Sequence, residues 1–340
     1  MRRKDNMSEK IYRVAVVGCG TIAPNHLSAL GVLENVKVVA LCDVKKERAE
    51  AMRENFAPTA SVYESFDELL SAETLDAVHI ATPHYLHAKM AIKALGMGLN
   101  VFLEKPMCIS REEIDALLEA ERKSTGRICV SFQNRFNETT LLAKQIIAED
   151  GGPIGAYGTV IWWRDEDYYL KSGWRGSKTT EGGGVLINQA IHTLDLLTYV
   201  MGKPRYVTAT IANHHLKGKI DVEDSSEGLI EFESGKTASF YATTSFMGQD
   251  KTSVFIKTEN HAIDILGEDI YVDSERVTPE ASVVPRVGKA CYGKGHFTLI
   301  RKFYEALESG ERMPVTLEDA QWVVRILLAA YESYDEKTSV

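Results

Sequence analysis

The sequence predicts an α/β chain in two parts: a doubly wound parallel sheet, then an α+β part built on a mostly antiparallel sheet. Three observations carry this. Between residues 11 and 130 short apolar runs alternate with amphipathic helical stretches, as parallel β-α-β units do. Beyond residue 150 the texture changes to glycine-rich loops, one strong helical stretch and then strand-like runs with no helix between them. The length of 340 residues also exceeds a typical domain of roughly 100 to 200. The expected division is a flexible tail over 1–9, a first domain over 10–130 and a second over 131–340.

In chain order, the first-half strands are expected over 12–17, 36–42, 77–81, 100–103 and 128–131. The first helix should run to about Leu33. Ser65 with Glu68 and Ser110 with Glu113 mark two later helix starts as capping boxes, a side-chain acceptor paired with a reciprocal acid. In the second half a helix is expected over 184–200. Strands over 229–232 and 237–241 flank Ser234-Gly235, a short turn suited to a hairpin. Two helices close the chain over 295–308 and 317–332, the second opened by Thr316 with Asp319.

Composition narrows the function. Hydrophobic residues make up 44% and charged residues 26%, an ordinary globular balance. With 39 basic and 48 acidic side chains the net charge is −9, which argues against nucleic acid or an anionic membrane as the main partner. Five cysteines, Cys19, Cys42, Cys108, Cys129 and Cys291, include no C-x-x-C pair, and a reducing cytoplasm is the simplest expectation. No secretory leader and no membrane span are read from the sequence.

The first strand ends in Gly18-Cys19-Gly20-Thr21-Ile22-Ala23, a G-x-G-x-x-A that should open a helix. Such glycines allow a tight turn and close backbone approach to a pyrophosphate, while a helix start offers amides and a partial positive charge. The second strand ends at Asp43, where an acid accepts hydrogen bonds from both hydroxyls of an adenosine ribose and repels a 2′-phosphate. This favours NAD. Lys45, Lys46 and Arg48 keep NADP as the second choice, and a helix cap is the competing role for Asp43.

The strand over 100–103 runs into Glu104-Lys105-Pro106 at the carboxyl edge of the sheet, where open α/β sheets place ligands. Proline restricts Lys105 to extended conformations. A lysine beside an oxidised nicotinamide should have its pKa lowered toward general-base range; an ordinary surface lysine is the competing reading. Further on, Glu181-Gly182-Gly183-Gly184 precedes a helix on which Asn188, His192 and Asp195 should form one polar stripe. His84 and His87 have the spacing of a metal pair on a helix, but no third ligand can be named, so helix-start contacts near the cofactor are preferred and no metal is expected.

Taken together, these motifs resemble the Gfo/Idh/MocA oxidoreductases. The likeness rests on the glycine motif with Asp43, Ala81-Thr82-Pro83-His84, Glu104-Lys105-Pro106, the glycine-rich segment with His192, and Gly295-His296-Phe297. The resemblance implies a Rossmann domain followed by an α+β domain with a large open sheet. It also implies a bound nicotinamide, hydride transfer on a secondary hydroxyl of a sugar or cyclitol, and a homodimer or homotetramer. Lys105 and His192 match the family's catalytic lysine and histidine. Gly18, Gly20, Thr21, Ile22, Ala23, Asp43, Thr82, Pro83, His87, Glu104 and Lys105 fall on its cofactor side.

Asn188 departs from the commoner aspartate, and an amide cannot take a proton. The base role then rests on Lys105 or His192. The run 188–192 together with Phe132-Gln133-Asn134-Arg135-Phe136 most resembles the branch that oxidises the 3-hydroxyl of nucleotide-linked N-acetylated sugars. Arg135, Arg164 and Arg175 suit a carboxylate or phosphate, Tyr169 and Trp174 a sugar face, and Asn188 and His192 a hydroxyl. Two alternatives share the site: an NAD-recycling glycosidase working by transient oxidation and elimination, and a non-catalytic dinucleotide sensor.

Overall fold

The computed structural model describes residues 10–246, 251–280, 294–333 and 338–339. Cys291 and the N-terminal tail lie outside them. The first sheet has six parallel strands in the order β3-β2-β1-β4-β5-β6. These are β1 (Tyr12–Val17), β2 (Val36–Cys42), β3 (Ser61–Tyr63), β4 (Ala77–Ile80), β5 (Asn100–Leu103) and β6 (Ile128–Val130). All four residues of β4 are buried, as a strand covered on both faces requires. The strand order reverses direction at β1, so the carboxyl ends of β1 and β4 diverge there into a crevice. β3, only three residues long, is an addition to the expected strands.

The helices between these strands are α1 (Ala23–Leu30), α2 (Lys46–Phe56), α3 (Phe66–Ala72), α4 (His84–Gly96) and α5 (Arg111–Lys123). α1 stops three residues before the expected end. Ser65 and Ser110 accept from the amides of Glu68 and Glu113 as expected. The Glu113 carboxylate, though, accepts from Ile109 N rather than from the cap residue. After β6 come α6 (Glu138–Glu149), β7 (Gly155–Ile161) and the five-residue α7 (Glu166–Leu170).

The expected helix over 184–200 is two structures. Leu186–Ala190 forms a π-helical turn, and α8 (Ile191–Met201) continues from it as ordinary α-helix. A π turn bonds i to i+5, so residues before it are rotated about the axis relative to residues after it. The polar stripe is therefore broken: the Asn188 side chain meets Glu181, whereas that of Asp195 meets Arg135.

The second sheet runs β14-β13-β12-β11-β7-β10-β9-β8-β15, and only the β7–β10 pair is parallel. Its further strands are β8 (Pro204–Ala212), β9 (Ser225–Phe232), β10 (Thr237–Thr243), β11 (Ser253–Lys257), β12 (Ala262–Leu266), β13 (Asp269–Val272), β14 (Glu275–Val277) and β15 (Thr338–Ser339). The β9–β10 hairpin turns at Gly235, whose φ of 77° is the left-handed conformation glycine permits. α6, α8 and α10 (Leu317–Glu332) pack against this sheet. Along β10 buried and exposed residues alternate, and Tyr157, Leu229 and Tyr241 stand exposed on strands β7, β9 and β10. Thr316 and Asp319 form the full capping box expected at α10. α9 (Gly295–Ser309) leaves this half and packs on α1.

Candidate active site

At the crevice, Gly18 has φ 94°, and a Cβ there would approach Ala81 O to 2.4 Å. Only glycine lets the end of β1 pass so close to the end of β4. A Cβ on Gly20 would meet nothing within 4 Å, which leaves its backbone open to a ligand. Thr21 is exposed, and Ile22 precedes Ala23 at an α1 start that no side chain caps. Asp43 lies at the end of β2 with Oδ2 accepting from Cys19 N and Oδ1 from Lys45 N, both at 2.8 Å. Lys45, not Asp43, is the cap residue of α2. The acid is thus locked against the glycine loop, and each oxygen keeps a lone pair for a ribose hydroxyl. These residues fit a dinucleotide.

Across the crevice, Pro83 is the cap residue of α4, and His87 ties two strand ends together. Its ring nitrogens lie 2.8 Å from Thr82 O and 2.6 Å from Pro106 O. His84 reaches the backbone oxygen of Glu181 at 2.8 Å. Both histidines are spent on carbonyls, and among the described residues no group of three metal-ligating side chains occurs. The Lys105–Pro106 peptide is cis.

Lys105 is partly buried and its Nζ donates to Asn188 O at 3.1 Å. Burial lowers its pKa, opposed by the Glu104 charge and reinforced by Arg175. His192 lies near enough to feel Lys105, and burial first, then that positive charge, hold it well below 6.5 as a neutral ring. Its Nδ1 is buried with no hydrogen-bond partner in the protein. On the far side of Asn188, Glu181 is fully buried and accepts from Asn188 Nδ2 at 2.5 Å and from Gly176 N at 2.6 Å. Burial raises its pKa to about 7. The sequence marks Glu181 only as the residue ahead of the glycines.

The remaining expected contacts divide. Arg164 and Arg175 both lie over the Tyr168 ring, at 5.1 and 4.7 Å, and Arg175 also over Trp174 at 4.8 Å. Each guanidinium has a buried Nε without a protein partner. Tyr168 also receives Gln189 Nε2 at 3.2 Å.

Arg135 and Tyr169 face elsewhere. The Arg135 fork grips Asp195 through Nε at 2.8 Å and Nη2 at 2.6 Å, with only 5% of the residue exposed. Tyr169 is 0% exposed, its hydroxyl 3.2 Å from Thr244 Oγ1. Its neighbour Tyr168 takes the position expected for it. Asp165 caps α7 by accepting from Tyr168 N, and this one-turn helix decides which of two adjacent tyrosines turns inward.

Behind Lys105 a buried polar chain crosses the first domain. Glu104 Oε1 lies 3.1 Å from His26 Nε2, His26 Nδ1 lies 2.9 Å from His79 Nδ1, and His79 Nε2 lies 2.9 Å from the Tyr304 hydroxyl on α9. His296, also on α9, reaches within 3.8 Å of Glu104. Burial pushes the Glu104 carboxyl up, but the His26 hydrogen bond and the surrounding charges leave it below the usual carboxylate range. Burial holds His79 well below 6.5. With Glu104 ionised, His26 Nε2–H donates to it, and one proton lies between the Nδ1 atoms of His26 and His79.

A crevice at the switch point of a 3-2-1-4-5-6 sheet is where dinucleotides bind, and the partly buried Lys105 stands on its edge. The class this defines is a nicotinamide-dependent oxidoreductase. Residues 12–132 match the model of the oxidoreductase family with an NAD-binding Rossmann fold, and residues 140–269 match the GFO/IDH/MocA C-terminal domain. The D-glucoside 3-dehydrogenase of Escherichia coli K12 is 30% identical over 253 residues, 68% of this chain and 70% of that protein. The NAD(+)-dependent scyllo-inositol 2-dehydrogenase of Bacillus subtilis 168 is 28% identical over 96% of this chain and 95% of its own. The WlbA dehydrogenase of Bordetella pertussis, solved with NADH and UDP-GlcNAcA, superposes with a TM-score of 0.84 at 26% identity, covering 97% of this chain and 99% of that one. The chain belongs to the Gfo/Idh/MocA family and is an NAD-binding oxidoreductase acting on CH–OH groups. Among the described residues no helix is long and apolar enough to cross a membrane.

Proposed function

We propose that the protein oxidises a ring hydroxyl of a sugar derivative carrying an acidic group, with Lys105 and His192 handling the hydroxyl proton. The observation that carries this is Lys105 Nζ held at Asn188 O, beside the neutral, unpartnered Nδ1 of His192. NAD, when bound, supplies the hydride acceptor. The protein does the rest. Gly18, Gly20 and Asp43 hold the dinucleotide, Lys105 in its neutral form accepts the proton at Nζ, and His192 orients the hydroxyl or passes the proton on.

Arg164 and Arg175, with free buried Nε–H groups beside the aromatic rings of Tyr168 and Trp174, suit an anionic group next to a sugar face. A nucleotide-linked N-acetylated sugar or its uronic acid has this chemistry, and the likeness to WlbA supports it. The exposed Tyr157, Leu229 and Tyr241 of the second sheet support assembly of two or four copies through that face.

The test is NADH formation at 340 nm with NAD and a panel of inositols, free sugars, glycosides and UDP-linked N-acetylated sugars. Turnover confined to neutral inositols or neutral sugars removes the anionic-substrate reading. A flat trace across the panel with NAD nevertheless bound removes the dehydrogenase reading for these substrates.

A further inference from the structure

The two oxygens of Glu181 have different partners. Oε2 accepts from the N–H of Gly176 at 2.6 Å, and Oε1 faces Asn188 Nδ2 at 2.5 Å. A backbone N–H only donates, so Oε2 must stay an acceptor and any proton on this carboxyl resides on Oε1. When Glu181 is ionised it accepts from Nδ2, and Asn188 turns its Oδ1 to the other side, where no described residue donates to it. When Glu181 is protonated, Oε1–H donates, and the Asn188 amide must rotate by half a turn, presenting Nδ2 on that side instead. The Tyr168 hydroxyl, 3.4 Å from Nδ2, serves either orientation because it can accept or donate.

We propose that Glu181 and Asn188 form a protonation-coupled amide switch that binds the alcohol in one state and the ketone in the other. A secondary alcohol offers an O–H to the Oδ1 of the first state; a ketone has no proton to give and needs the N–H of the second. After binding, the hydroxyl turns its proton from Asn188 Oδ1 to neutral Lys105 Nζ, and oxidation then sends one hydride from the carbon to NAD and that proton to Lys105. The switch itself takes up or releases one solvent proton on Glu181 and changes no oxidation state. Glu181 acts through Asn188 and is a positioning residue.

The charged and titratable groups around Glu181 are Arg175, Lys105, Glu223, Tyr169 and Tyr331, with His84 on its backbone oxygen. Burial among them brings its titration to about 7, so both states are populated near neutrality. The inference deepens the proposed function and rests on it at one point, that the reacting oxygen meets Asn188.

The experiment uses the full chain and the best substrate pair from the panel, and measures KM for alcohol with NAD and for ketone with NADH between pH 5.5 and 8.5. In the wild type the alcohol KM should fall and the ketone KM rise as pH passes through about 7, each by roughly five- to tenfold, the worth of one hydrogen bond. In Glu181→Gln the Gly176 N–H keeps the amide oxygen opposite it, which turns the NH2 toward Asn188 and fixes the ketone-binding state. The variant should show a raised alcohol KM and a low ketone KM, both flat with pH, with unchanged NAD affinity.

Two constants that move together, or a variant that keeps the wild-type pH trend, overturn the switch. Should Glu181→Gln not fold, the wild-type trend alone decides. Turnover without the opposed trend sinks the switch and leaves the function standing; no turnover on any substrate sinks both.

Discussion

Lys105 Nζ donates across 3.1 Å to the backbone oxygen of Asn188, the residue whose side-chain amide is held by Glu181. One residue therefore stands between the strand-end lysine and a buried carboxyl, contacted by each at a different atom. This ties the π-helical turn to the edge of the first sheet and fixes the direction of Lys105.

Replacing Lys105 by Ala should lower kcat by about 10²- to 10⁴-fold, the usual worth of a general base. NAD affinity, measured by fluorescence titration, should change little. Because burial lowers the lysine pKa, the rise of kcat/KM for oxidation with pH should have its midpoint below the ordinary 10.5. An equally large loss of NAD affinity would instead make Lys105 a cofactor contact.

Arg135 and Asp195 form a buried two-point ion pair, with side-chain exposures of 6% and 1%. Breaking such a pair leaves one charge without compensation and costs about 3–5 kcal/mol. Arg135→Met should therefore lower the melting temperature markedly, and Arg135→Met with Asp195→Leu should recover much of the loss. Substrate KM should hardly move; a large rise in KM at unchanged stability would return Arg135 to the substrate site.

Glu181 titrates near 7 in the folded protein, against an ordinary 4.5. Below the ordinary value both folded and unfolded chains carry the proton, and this contribution to stability is complete. It drains as pH rises, because the unfolded chain ionises first, and above 7 roughly 3 kcal/mol has gone. Glu181→Gln should accordingly melt higher than the wild type at pH 8 and alongside it at pH 4. Equal melting curves at pH 8 would mean that the carboxyl ionises as easily inside as outside.

Glu104, held as an anion, fixes a proton on the His26 nitrogen that faces it, and burial keeps His79 singly protonated. ¹⁵N NMR should find His26 Nε2 protonated and His79 carrying one proton between pH 6 and 8. A bare His26 Nε2 would mean that Glu104 is not the anion at the end of the chain.

The first domain is largely legible in the sequence because its signals are local. Glycines at a strand end, an acid at the next strand end and a Glu-Lys-Pro step report on their own surroundings. β3 escapes because three residues are too few for alternation to show. Arg135 and Tyr169 mislead for a different reason: a forked cation and an aromatic look alike in sequence whether they meet a ligand or Asp195 and Thr244. Glu181 is silent because its meaning lies in Asn188, Gly176 and the degree of burial. A break in helical periodicity such as the π turn leaves no mark in the pattern of apolar residues.

The polar chain behind Lys105 ends on α9, which follows β14 of the second sheet in the sequence. During synthesis β1, β4 and β5 all emerge more than 200 residues before Tyr304, since Glu104, which follows them, precedes it by 200 positions. Until then His79 sits at the centre of the first sheet with Nε2 lacking its Tyr304 partner. A nascent dinucleotide domain could thus grip its cofactor early, while the electrostatics around its lysine wait for α9 to dock. Competence for proton transfer then follows the docking of α9, separate in time from nucleotide capture.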